Sequence, residues 1–110
     1  MKYTYTFDQL KDTEENARIH FLNYQYTVDH FGPVDLGRYF TADRGTVEAP
    51  NEQLACEKLF QKYNIRDDLQ GYAGRSMSVS DVVHLRDNSA DPPVETVWFC
   101  DNIGFVRVEV

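Results

Sequence analysis

A thiol, an imidazole and a carboxylate are enough to build a nucleophile, its base and the group that orients the base. This sequence offers one such set on paper, Cys100, His84 and Asp81. The set works only if a sheet brings three segments together and if Cys100 lies in an exposed, electropositive setting that lowers its pKa. An acidic chain opposes the second condition. His20 and His30 stand beside apolar neighbours in separate segments, with no local partner that suggests a base or a ligand. Cys56 lies at the edge of a helical apolar stripe, where a thiol packs as a small hydrophobe.

Metal and phosphate chemistry finds equally little. Two cysteines 44 positions apart form neither a disulfide framework nor a zinc site, which needs about four ligands, usually with paired short spacings. Asp67 and Asp68, with Asp87 and Asp91, could hold a hard cation loosely, but loop aspartates are ordinarily just solvated. Gly71 and Gly74 are too few to cradle a phosphate, and no HExxH, Walker-type or GxSxG pattern occurs. The expectation is no catalytic residue, no cofactor and no structural metal.

The chain of 110 residues has the size of one domain, and 42% apolar residues with fifteen aromatics supply a core without a staple. Its net charge of −7 is spread evenly, −3 over residues 1–50 and −4 over residues 51–110. With no cluster of Lys and Arg to neutralise phosphates, direct nucleic-acid binding is not expected. A basic protein surface suits this charge better, although such a charge also serves solubility. The N-terminal residues lack a signal-peptide pattern and no apolar run approaches the roughly 20 residues of a membrane span. A cytoplasmic protein with reduced thiols and no membrane contact is the expectation.

The elements follow from periodicity. Residues 2–7 alternate Tyr3, Tyr5 and Phe7 against polar positions, the pattern of a strand with one apolar face. Residues 8–16 read as a loop or helical turn, and residues 18–22 as a second strand. Residues 24–31 admit a short helix with Val28 and Phe31 inward, closed by Gly32-Pro33. Residues 38–49 look extended, broken by a hairpin or bulge at Asp43-Arg44-Gly45. The clearest helix is 51–63, with Asn51 as cap, Glu52 in the first turn and a stripe of Leu54, Ala55, Leu59, Phe60 and Tyr63. Residues 64–76 read as a loop, 77–85 as a strand or strand pair, and 95–100 with 104–110 as an antiparallel hairpin. The fold class is α+β, a mainly antiparallel sheet with one clear helix and a second short one at 24–31.

Four residues are explained by turns. Asp81 interrupts the alternation of Met77, Val79, Val83 and Leu85, and an unpaired buried carboxylate is costly, so the chain should turn at Ser80-Asp81 and keep Asp81 out of the core. Asp101, Asn102 and Gly104 form the turn of the last hairpin. What folding leaves unexplained is a candidate interaction surface: Asp87, Asp91, Pro92 and Pro93 in a polar, mobile-looking tip, with Trp98 nearby.

The segments Ser76-Met77-Ser78-Val79-Ser80-Asp81-Val82-Val83 and Trp98-Phe99-Cys100-Asp101-Asn102-Ile103-Gly104-Phe105 carry a family resemblance. The chain resembles the YodL-like domain, in which a serine-rich SVSDVV-type strand precedes an aromatic strand ending in an aspartate and a Gly-Phe pair. A weaker match lies in Glu15-Asn16, Arg18-Ile19 and Lys62-Tyr63-Asn64-Ile65. It covers residues 14–110 and departs from the family pattern by a longer loop, Arg86 to Glu95. The resemblance implies a single YodL-like α+β domain over 1–110, of the kind found in proteins of plasmids, conjugative elements and phages, with no activity to transfer.

Three function classes follow. The first is a non-enzymatic accessory protein-binding module of a bacterial mobile genetic element. The second is an acidic inhibitor of a host defence nuclease, presenting carboxylates to a basic nucleic-acid channel. The third is a small enzyme. The partner expected is another protein, with a basic nucleic-acid-binding one as the electrostatic version.

Overall fold

A computed structural model describes residues 1–64 and 76–109. Strand β1, Lys2–Leu10, buries Tyr3, Tyr5 and Phe7 as the alternation predicts, and it continues three residues past the pattern. After it come α1 (Glu14–Ala17), α2 (Tyr24–Phe31), a 3-10 turn (Leu36–Arg38), β2 (Tyr39–Glu48), α3 (Glu52–Asn64), β3 (Val82–Asp87), β4 (Val94–Cys100) and β5 (Phe105–Val108). The strands form one antiparallel sheet in the order β2-β1-β3-β4-β5. The fold is α+β and dominated by the sheet, and β4–β5 is the expected hairpin.

One face of the sheet lies under α3. Tyr3, Tyr5, Phe7, Val83, Leu85, Cys100 and Phe105 pack there against Ala55, Cys56, Leu59, Tyr63 and Met77. Burying a side chain such as Phe7 or Leu59 stabilises the fold by about 1.5–3 kcal/mol. The helix starts where the Asn51 carboxamide accepts the Leu54 amide at 2.9 Å. Its stripe is displaced from the expected one: Leu54 and Phe60 are 41% and 40% exposed, while Cys56 is fully buried at the centre and not at the edge.

The opposite face is covered over half its width. Val82, Val97, Phe99 and Val108 lie beneath Tyr24, Val34, Leu36 and Tyr39, which come from α2 and the segment leading into β2. Toward the β2 edge, Thr4, Arg44, Thr46 and Arg86 stay exposed.

Several local expectations are corrected. Residues 18–22 form no strand, because α1, capped by Thr13 at the Asn16 amide, passes into turns and Phe21 takes φ 68°. Only Ile19 of that segment is fully buried, and Phe21 is exposed. The helix at 24–31 exists, capped by Asn23 and ended by Gly32 at φ 84°, but it turns Thr27 inward and leaves Phe31 outside. No hairpin breaks residues 39–48. The register instead slips opposite Phe7 and Asp8, making Ala42 the extra residue of a bulge. Gly45 sits close to its neighbour: a Cβ there would come within 3.1 Å of the Tyr5 hydroxyl, which would have to give by a few tenths of an ångström.

Strands β3 and β4 reach further than expected, so the connection between them is confined to residues 88–93 and not 86–95. The aspartates and glycines at 67, 68, 71 and 74, with the rest of the expected loop at 65–75, lie outside the described residues. No helix among the described residues is long and apolar enough to cross a membrane.

Candidate functional site

The Ser78-Val79-Ser80-Asp81 segment turns the chain into β3 and ties four parts of the fold together. Asp81 accepts the Ser78 amide at 2.9 Å, the turn chemistry expected of it, but it is fully buried. The carboxylate is tolerated because Gln9 also donates to it, at 3.4 Å. Its carbonyl accepts the Cys100 amide at 2.8 Å, while the Ser80 amide donates to the Cys100 carbonyl at 2.9 Å. Ser80 further accepts the Phe21 amide on Oγ and the Tyr39 hydroxyl on its carbonyl.

Asp101 does comparable work after β4. Its amide donates to the Gly104 carbonyl, closing the turn, and Gly104 takes φ 71°, a conformation suited to glycine. The Asp101 carboxylate accepts the amides of Asn102 and of Tyr24, the first residue of α2. Asn102 stays exposed.

The uncovered part of the sheet carries a grid of polar side chains. Arg44, Thr6 and His84 form one row across β2, β1 and β3, and Thr46, Thr4 and Arg86 form the next. Asp8, on the same face, holds His84 Nε2 at 3.0 Å and accepts the Thr41 hydroxyl at 2.9 Å on its other oxygen. A carboxylate only accepts, so the bond to Asp8 is donated by the Nε2–H of His84. Thr4, Thr6, Arg44, Thr46, His84 and Arg86, with Glu95, border an open groove of about 590 Å³.

The sequence model of the YodL-like domain matches residues 4–110. The chain belongs to the YodL-like domain family. The match takes in β1 as well as the segments that carried the resemblance. No curated protein and no solved structure matches the sequence.

In this YodL-like domain the paper triad is not assembled. His84 pairs with Asp8 and not Asp81, and it faces the open side of the sheet while Cys100 packs on the α3 side. Burial, then the carboxylates of Asp81 and Asp101, pushes the Cys100 thiol up to about 12, and burial pushes Cys56 up as well. Neither is a thiolate at neutral pH. His30 is exposed on α2, stacked on Tyr26, and His20 is stacked on Phe21. Among the described residues no group of three or more His, Cys, Asp or Glu is placed to hold a metal ion.

The expected interaction surface of the YodL-like domain is only partly contiguous. Asp91, Pro92 and Pro93 are exposed at the β3–β4 connection. Asp87 ends β3, and hydrogen bonds from the Ser89 hydroxyl and amide of that connection hold its carboxyl below the usual range. Trp98 sits well along β4 opposite Val83 and Arg107, half-buried against the α3-side core, with Nε1 donating to Thr96. It does not join the tip. Of the open-face residues only His84 was singled out from the sequence, and with other partners. The available signal was the alternation of β1 continued by two residues, which sets Asp8 in line with Thr4 and Thr6.

Proposed function

We propose that this YodL-like domain is a non-enzymatic protein-binding module contributed by a mobile genetic element, acting in the cytoplasm through the uncovered half of its sheet. The carrying observation is that β2, β1 and the later part of β3 turn polar and cationic side chains to one face with no other described element packed over them. Within this array Thr4 and Arg86 make one exposed contact each, with Asn88 and Glu95. The motif residues, in contrast, are used up by turns and caps, and both thiols are buried. The acidic-inhibitor reading draws on net charge alone.

A test places Thr6→Glu on the open face and Asp91→Lys on the tip, then compares partner capture from the source cell. Loss of a specific partner with the first and its retention with the second supports this face. The opposite pattern moves the interface to the tip.

A small-enzyme reading is favoured by one observation, the oriented imidazole of His84 beside the groove. There His84 would act as a general base on a substrate hydroxyl or water. A turnover found in the purified domain and abolished by His84→Ala, with the fold intact, would replace the binding reading.

A further inference from the structure

Strand β1 is flanked by arginines from both of its neighbours. Arg44 of β2 stands directly across from Thr6, and Arg86 of β3 directly across from Thr4. Strand spacing and rise put the two Cα atoms roughly 12 Å apart on a diagonal, so both side chains can close over a group seated above β1. Arg44 makes no ion pair among the described residues. Arg86 meets Glu95 at 3.5 Å with both side chains well exposed, a contact weak enough to be exchanged for a better anion. Asn88 Nδ2 donates to Thr4 Oγ1 at 3.2 Å, which leaves the Thr4 hydroxyl proton free to point into the groove.

We propose that this groove binds a phosphoryl group. The register sets donors on three sides, Arg44 on β2, Arg86 on β3, whose guanidinium would leave Glu95 of β4, and the Thr4 and Thr6 hydroxyls on β1 between them. That arrangement suits the three terminal oxygens of a tetrahedral oxyanion better than the two coplanar oxygens of a carboxylate. The groove volume of about 590 Å³ holds a group of this size with what it is attached to. The inference rests on the reading of this face as a contact surface and names the chemistry that the surface would recognise.

The test is an amide-resolved NMR titration of the whole domain with inorganic phosphate, and with acetate as the planar comparison. Phosphate should give saturable shifts at Thr4, Thr6, Arg44 and Thr46 at about millimolar concentration, and acetate should give none of them. Arg44→Ala and Arg86→Ala should each weaken binding about tenfold, as loss of a charge-assisted contact does. Glu95→Gln should tighten it about two- to fivefold, since it frees Arg86 and removes a nearby negative charge. Lys11→Ala, an exposed cation off this face, should change nothing. A phosphoserine peptide and a nucleoside monophosphate, titrated in parallel, tell a protein-borne group from a nucleotide, and tighter binding of either supports the site. Phosphate without effect on these amides, equal effects of acetate, or wild-type affinity in Arg44→Ala overturns it. Because no partner enters the assay, a domain that binds phosphate but captures no protein would overturn only the protein-binding reading.

Discussion

The Phe21 amide donates to Ser80 Oγ at 3.2 Å, joining two non-glycine residues whose backbones both take positive φ, 68° and 84°. A left-handed backbone costs an ordinary residue roughly 1–2 kcal/mol. The bond shows what holds both in place. Ser80 is buried where β3 and β4 meet, and Phe21 is the point at which the segment before α2 turns back toward the sheet. The α2 cover over the sheet therefore hangs from the Ser80 turn and from the Asp101 carboxylate at its first amide.

Ser80→Ala removes the acceptor and keeps the strained backbone, so it should destabilise the domain by about 1–3 kcal/mol. Ser80→Gly removes the same acceptor but relieves the φ, and should recover about 1 kcal/mol of that loss. Urea unfolding of the two variants checks the difference. Equal midpoints would mean that the left-handed turn stores no strain.

Leu59→Ala should cost about 2–5 kcal/mol, because Leu59 is sealed between α3 and the sheet. Leu54→Ala, at an exposed position five residues earlier, should cost under about 0.5 kcal/mol. A larger loss at Leu54 than at Leu59 in thermal or urea unfolding would restore the stripe expected from the sequence.

That stripe shows where sequence reading succeeds and where it fails. The Asn51 cap, the Gly32-Pro33 stop and the Asp101–Gly104 turn are local chemistry, and each appears where the residue types place it. The rotation of α3 is set by what lies beneath it, so the contact of Cys56 with the core was not readable from helical spacing alone. Asp81 divides the same way: its turn is local, but its buried carboxylate also meets Gln9, 72 residues away. The open face was least legible. Thr4, Arg44 and Arg86 come from three distant segments, and only the order β2-β1-β3 sets them side by side.

Both thiols should resist alkylation in the native domain and react only when it unfolds. Their folded pKa values are raised by burial, so the folded state keeps its protons where the unfolded state has lost them. Stability from this source is complete below the ordinary thiol pKa of about 9 and is lost progressively as pH rises from there through the raised folded values. Each thiol should account for about 1 kcal/mol of loss by pH 10. Cys100→Ala should flatten that part of the stability profile. Rapid native alkylation at neutral pH would contradict the burial.

A chain of hydrogen bonds links α3 to both β1 and β2, and its direction can be assigned. Tyr63 donates its one hydroxyl proton to Asp43 Oδ2 at 2.7 Å, so the 2.7 Å contact between Tyr5 and Tyr63 must be donated by Tyr5. Tyr5 in turn accepts from Lys62 Nζ at 3.0 Å. The order is ammonium, phenol, phenol, carboxylate, with a cation at the donor end and an anion at the acceptor end. Burial first, and then its bonded neighbours, pushes the Tyr63 phenol up, so it stays protonated as this direction requires. Tyr63→Phe strips the acceptor from the buried Tyr5 hydroxyl and the donor from Asp43, and should cost about 1–3 kcal/mol. Tyr5→Phe leaves the Tyr63–Asp43 bond in place and returns Lys62 to water, so it should cost less. The double variant should lose less than the two single losses added together, by roughly 0.5–1 kcal/mol or more, because both single variants break the same contact. Urea unfolding of the three proteins measures this directly. A Tyr5→Phe loss larger than that of Tyr63→Phe, or full additivity, would show that the chain does not run from Lys62 to Asp43.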